Sequence, residues 1–433
     1  MEKAFVTVKS EIERMVIMTG REKLYQALSH QCGSIPVDCG STAITGIHIS
    51  VVEKLREYYG LEKKPVRVAD PFQMLGVVDD DLKEALGVDV MGIFNPNTMF
   101  GFKDTGAKEW KTPWGQTVIV QDGFEVTQDT KGDIYIYAQG DKSFPPAGRL
   151  PAGGYFFDAI VRGHDFDEDD PHIEDNLEEF SEISDDDLRT IQKDLEIASQ
   201  KDYGVIASIG GMAIGDIALV PATMLKQPKG LRDISEWYMA TITNQEYLHQ
   251  IFQAETAIAL KNLEKIKKID KGVIQAIVVC GTDFGTQNAP FCSNDLFREL
   301  YMPYYKILNQ WIHKNTTWKT FKHSCGSIDP LIPELIESGF DILNPVQWSA
   351  ENMKAQHLKD TYGDKLVFWG GGINTQQTLP FGSPAQVREE ALRCCEIFSK
   401  NGGFVFNSIH NIQATTPVEN VVALFDAVKE YNR

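Results

Sequence analysis

The last third of the chain repeats one pattern four times: a short apolar run, a polar loop, then a helix start. Thr317 to Lys322 leads into His323-Ser324-Cys325-Gly326, after which Asp329-Pro330 opens a helix that Gly339 closes. Asp at an N-cap, Pro at the first helical position and Gly past the end are what the unpaired amides and carbonyls of helix termini select. Asp341 to Leu343 ends at Asn344-Pro345-Val346-Gln347. Leu366 to Trp369 ends at Gly370-Gly371-Gly372, followed by Ser383-Pro384-Ala385-Gln386, a capping box. Phe404 to Phe406 ends at Asn407 to His410 and precedes a second such box, Thr416-Pro417-Val418-Glu419. Consecutive βα units demand a parallel sheet, because each helical crossover returns the chain in the same direction.

Two more buried strands are expected at Tyr203 to Ile209 and Val273 to Cys280, with a long helical stretch from Ser235 to Ile266 between them. Ile35 to Asp38, after a short helix around Arg21 to Leu28, reads as the first strand. Together these approach eight βα units. The economical α/β solution is a (β/α)8 TIM barrel, because closing the sheet removes both unpaired edges. A doubly wound open sheet is the alternative. One barrel with insertions can fill the whole of residues 1–433 as a single domain.

Residues 95–190 break the βα rhythm and are expected to form an insertion. Thr117 to Tyr137 alternates apolar and polar residues around Asp122-Gly123 and Lys131-Gly132-Asp133, the pattern of an antiparallel meander. Asp165 to Asp187 then carries 13 acidic residues and contains no Lys or Arg. The chain's formal net charge of −19 is concentrated there. Nucleic-acid and anionic-membrane binding are excluded as expectations, since both need clustered Lys and Arg. No window of 18 apolar residues occurs, and Met1 to Met15 lacks the apolar core of a secretory signal, so a cytoplasmic protein is expected.

His323-x-Cys325 is the sharpest chemical signal. Alternate residues of an extended segment point the same way, so an imidazole and a thiolate two apart at a strand end can share one cation; nitrogen with soft sulfur suits Zn²⁺. The pair sits where a barrel strand meets its C-terminal loop, the usual place for barrel active sites. His410, at a later strand end, is the expected third ligand, against the plainer reading of a buried His bonded to backbone. Cys39 and Cys292 are spare ligands. Cys394 and Cys395 fall on one helical stripe with Val387, Ala391 and Phe398 and read as core.

Asp283, in Cys280-Gly281-Thr282-Asp283-Phe284-Gly285-Thr286-Gln287, ends an apolar strand and can serve as a general acid or bind a substrate hydroxyl, or can cap its own loop. Asn344 and Gln347 offer amides, which orient ligands without transferring protons. Asp38 and His48 flank the first βα loop and, with Asn407 and Gln413, are expected to bind substrate; Ser34 to Ser50 contains neither Arg nor Lys. Gly370 to Gly372 matches neither nucleotide-binding glycine pattern and reads as a close backbone approach in the barrel mouth.

These segments resemble the uroporphyrinogen decarboxylase superfamily. The likeness rests on Arg21-Glu22-Lys23 through His30, Ile35-Pro36-Val37-Asp38, the Gly-Thr-Asp-Phe-Gly-Thr-Gln loop, Gly339 to Gln347, and Thr416-Pro417-Val418-Glu419-Asn420. The resemblance implies a (β/α)8 barrel and one of two activities: decarboxylation without a cofactor, or zinc-dependent methyl transfer with a corrinoid protein or its cobamide. Decarboxylase members hold their polycarboxylate with arginines in the first βα loop, where this chain has none. Methyltransferase members carry His-x-Cys plus a distant Cys as zinc ligands; His323 and Cys325 match, while the third place falls on His410, a residue seen there in decarboxylases. The resemblance therefore leans towards methyl transfer, with O-demethylation of a methoxylated compound favoured by a more Lewis-acidic zinc. No D-x-H-x-x-G cobamide signature occurs, so the corrinoid is expected on a separate partner protein. A small-molecule methyl donor or acceptor and a second copy of the chain are the other expected partners. A cofactor-free decarboxylase and a non-catalytic barrel that binds a ligand or cobamide are the alternatives.

Overall fold

The computed structural model describes residues 18–163, 166, 171–209 and 212–433. The N-terminal stretch Met1 to Met15 and most of the acidic run from Asp165 to Asp170 lie outside the described residues.

Seven strands, β1 (Val90–Phe94), β2 (Gly204–Ser208), β3 (Ala276–Cys280), β4 (Lys319–His323), β5 (Ile342–Asn344), β6 (Val367–Trp369) and β7 (Phe404–Val405), pair in parallel in chain order. Residues 35–38 complete the ring. Val37 makes a parallel bridge to Phe406, the amide of Asp38 donates to the carbonyl of Phe406 at 2.8 Å, and the amide of Asp89 donates to the carbonyl of Val37 at 2.7 Å. The sheet is closed on itself as a (β/α)8 barrel, and the open-sheet alternative falls.

The first stave is thinner than its sequence suggests. Pro36 has no N–H to donate, and the amide of Val37 is taken by the Asp89 carboxylate at 3.0 Å, so a single bridge replaces a ladder. β1 is the stave that sequence reading passed over. It follows the short helix Asp80–Leu86, whose left-handed Gly87 turns the chain into the barrel.

Alternation along the strands fills the interior. Val90, Ile206, Ala276, Phe321, Ile342, Val367 and Val405 form one buried cluster with Trp369. Helix Gly20–Leu28 adds Leu24, Ala27 and Leu28 to that cluster and plugs the N-terminal end of the barrel. A capping box between Thr19 and Glu22 starts this helix. The plug fits tightly: a Cβ on Gly204 would lie 2.5 Å from the Leu24 side chain. Among the described residues that end is filled by the helix, which leaves the C-terminal mouth as the face for ligands.

Several expectations need correction. The helical stretch from Ser235 divides at Asn244 into Ile234–Thr243 and Gln245–Ile269. The Ser383 capping box forms. The Thr416 box does not, because helix Val418–Tyr431 begins at Pro417 and Thr416 is buried. The meander from Thr117 to Tyr137 is split between two four-stranded sheets. Thr117–Val120 pairs with Lys108–Lys111 and with Val66–Asp70, while Val126–Gln128 pairs with Ile134–Ile136 and so onward to Gly148–Leu150 and Asp158–Ala159. The cause is a turn at Pro113-Trp114-Gly115, where left-handed Gly115 donates to Thr112 and folds Thr117–Val120 back on the strand before it.

The described part of the acidic segment is fastened to the barrel. Arg232 and Glu179 form an almost fully buried pair at 2.6 Å, and Asn176 bonds to Leu231 and Tyr247. Among the described residues, no helix is long and apolar enough to cross a membrane.

Candidate metal centre

The last residues of β4 enter the mouth on the same side as Phe321, which fills the barrel two residues earlier. His323 therefore points into the mouth, and Cys325 follows two residues later. Nε2 of His323 lies 3.4 Å from Sγ of Cys325. Two ligands of a tetrahedral zinc, at bond lengths of about 2.1 and 2.3 Å, stand roughly 3.5 Å apart. His410 reaches the same point from the segment after β7, with its ring 5.9 Å from that of His323. One ligand atom from each of the three residues lies within 4.8 Å of the others.

The surroundings prepare the group to bind a cation. Nδ1 of His323 lies 2.6 Å from Oδ1 of Asn344, whose own Nδ2 donates to the carbonyl of Trp369 at 2.9 Å. An amide oxygen only accepts, so Nδ1 carries the proton and Nε2 offers its lone pair towards Cys325. Burial depresses the pKa of His323, and burial with the nearby His323 depresses that of His410 to about 4. Both rings are neutral at pH 7, as metal ligands must be. Burial and the Asp283 carboxylate push the Cys325 thiol up, the opposite of what a bound cation does. The donor set fits zinc: two neutral imidazoles and one sulfur that deprotonates on binding.

Two loops hold Cys325. The Asp283 carboxylate accepts from the Cys325 amide at 2.6 Å and lies 3.6 Å from Nε2 of His323. The Gln347 side chain accepts from the Gly326 amide at 2.8 Å. Gly285 sits so close to the Cys325 loop that a Cβ there would stand 2.7 Å from the Cys325 carbonyl. Glycine at this position is thus a packing requirement.

The structure brings Asp283, Asn344 and Gln347 together around His323, Cys325 and His410. It places the remaining candidates further round the mouth. Asp38 is fully buried and accepts from Trp369 Nε1 at 2.9 Å and from the Ser41 amide. Asn407 donates to the carbonyls of Asp38 and Thr45. His48 caps helix Ile49–Tyr58 and has both ring nitrogens engaged, by Ser50 and by the carbonyl of Tyr155. Gln413 is exposed. Cys39 is buried and Cys292 lies on a neighbouring cavity; neither belongs to the three-residue group. Cys394 and Cys395 are buried on helix Pro384–Phe398.

Lys322 was not singled out by sequence reading. It is fully buried beneath the site, donating to the carbonyls of Thr282 (2.6 Å) and His323, and lying 5.0 Å from the Phe284 ring. A Lys inside the apolar run Thr-Phe-Lys-His was its only local signal.

The family model described as uroporphyrinogen decarboxylase (URO-D) matches residues 167–431, well over half the chain. The chain belongs to the uroporphyrinogen decarboxylase family. Curated family members similar to it include uroporphyrinogen decarboxylases of Paraburkholderia phytofirmans, 32% identical over 102 residues, and Actinobacillus succinogenes, 30% identical over 102 residues. These alignments cover 24% of this chain and 26% and 27% of those proteins, so the chain matches about a quarter of the length of its curated relatives. A solved methyltransferase from Methanosarcina mazei shares the fold, with a TM-score of 0.55 and 15% identity over 96% of this chain and 100% of that one. This family member lacks Arg and Lys throughout Ser34 to Ser50, beside the site just described.

Proposed function

We propose that this family member is a zinc-dependent methyltransferase, moving a methyl group between a small molecule, such as a methoxylated compound, and a corrinoid carried by a separate protein in the cytoplasm. The observation that carries the reading is the convergence of His323, Cys325 and His410 at the open end of a barrel whose other end is plugged. His323, Cys325 and His410 would hold the zinc, which would supply Lewis-acid polarisation of a substrate oxygen or sulfur.

The chain's own residues do the rest. Asn344 fixes the His323 tautomer, and Gln347 holds the Cys325 loop; both are positioning residues. Asp283 lies on the wall of the adjacent cavity, where it would bind a substrate hydroxyl or, as a general acid, hand a proton to the leaving oxygen. Asp38, His48 and Asn407 shape the opposite wall through their internal bonds, and Gln413 remains free to meet a ligand. We assign residues 95–190 to an insertion within a single domain spanning 1–433.

Cofactor-free decarboxylation is the second reading, favoured by the uroporphyrinogen decarboxylases that align with this chain over about a quarter of its length. Against it, a porphyrinogen polycarboxylate would find no cation in the first loop, and each unpaired buried anion costs several kcal/mol.

The test is incubation of the purified protein with a Co(I) corrinoid protein and 2-methoxyphenol. Methyl-cobalt formation that disappears in Cys325→Ser, together with loss of bound zinc, is expected. Carbon dioxide release from uroporphyrinogen by a zinc-free preparation would overturn the reading.

A further inference from the structure

A cavity of about 190 Å³ lies against Asp283, walled by Tyr238, Ile242, Phe284, Phe291 and Tyr301. An apolar cavity of about 150 Å³ holds benzene, so this one has room for a single six-membered ring with a small substituent. Tyr238 and Phe291 stack with centroids 4.9 Å apart and 20° between planes, a mutually braced aromatic pair at the cavity wall. Phe291 is 48% and Ile242 74% exposed, so the cavity opens to solvent along apolar side chains that a ligand would cover.

Its charge pattern is as selective as its shape. Among the described residues, no Lys, Arg or His lines the cavity, and Asp283 is the one carboxylate. Burial raises the Cys292 thiol to about 11 and the Tyr238 phenol to about 12, so both stay neutral at pH 7. A ligand carboxylate placed here would face Asp283 with no partner. Asp283 also stands 3.6 Å from His323, so a ring in the cavity directs a substituent on its inner edge towards the three-residue group.

We propose that this cavity binds the planar apolar ring of an uncharged aromatic substrate, with Phe291 and Tyr238 as its specificity-determining wall; the assignment rests on the methyl-transfer reading and names the substrate class it would use.

The test is calorimetric titration of the full chain, zinc-loaded and chelator-treated, with 2-methoxyphenol, tetramethylammonium and propane-1,2,3-tricarboxylate. Binding of 2-methoxyphenol in both preparations is expected, weakened about tenfold by Phe291→Ala and restored by Phe291→Tyr. Ile242→Ser, at an exposed position that cannot disturb folding, should weaken it about threefold. Equal affinity in wild type and both variants, no binding of 2-methoxyphenol, or preference for the cation or the tricarboxylate overturns the proposal. Binding as expected without methyl transfer from any corrinoid would remove the functional reading and leave the cavity assignment standing. Zinc-dependent methyl transfer with an unchanged KM in Phe291→Ala would do the reverse.

Discussion

Replacing Asn344 by Ala removes two hydrogen bonds at a position only 1% exposed: the 2.6 Å contact to His323 Nδ1 and the 2.9 Å bond to the Trp369 carbonyl. The first loss frees the imidazole to adopt either tautomer and to rotate. Outer-shell partners of metal-bound histidines are worth about 10–100-fold in affinity, or roughly 1.4–2.7 kcal/mol. The second loss strands a buried carbonyl, at about 1–3 kcal/mol of stability. Asn344→Asp separates the two effects. Its carboxylate still accepts from Nδ1 and should keep zinc affinity near or above wild type, yet it cannot donate to Trp369, so stability still falls. Competition with a chromophoric chelator reads affinity, and urea unfolding of the metal-free protein reads stability. An Asn344→Ala protein that binds zinc as tightly as wild type would refute the role assigned to this residue.

Other outcomes follow from the same contacts. Burial depresses His48 to about 4, below the ~6.5 of an unfolded histidine, so the unfolded chain takes up the proton first. Stability present above pH 6.5 is therefore lost as pH falls towards 4, by about 3 kcal/mol when complete. His48→Gln should flatten the pH dependence of urea midpoints between pH 7 and 5, and an unchanged slope would contradict this. Arg232→Met leaves Glu179 buried without its partner and should cost about 3–5 kcal/mol in a urea melt; a cost below 1 kcal/mol would show that the pair does not fasten the acidic segment. Cys394→Ala should lower stability by about 1 kcal/mol and leave zinc content intact, whereas loss of zinc would contradict its place in the core.

The parallel barrel was legible because its second half is written in local rules. Strand alternation places Phe321 and His323 on one side, Gly339 and the Ser383 box punctuate helices, and these signals need no distant partner. His323 and Cys325 were legible for the same reason, being two residues apart on one strand end. β1 was hidden because Val90–Phe94 sits in a region whose other strands belong to the outer sheets, so no repeat framed it. Residues 35–38 read as a full strand because hydropathy does not reveal that Asp89 takes the Val37 amide. The supporting shell lay beyond sequence reading altogether. The Asn344 contact to His323, the Gly285 approach to Cys325 and the cavity between Tyr238 and Phe291 each join segments brought together only by barrel closure.

X-ray absorption at the zinc edge of the purified protein tests the metal centre most directly. A shell of one sulfur near 2.3 Å and two imidazole nitrogens near 2.0–2.1 Å is predicted, completed by one light atom, with one imidazole lost in His410→Ala. A protein without stoichiometric zinc, or a shell without sulfur, would contradict it.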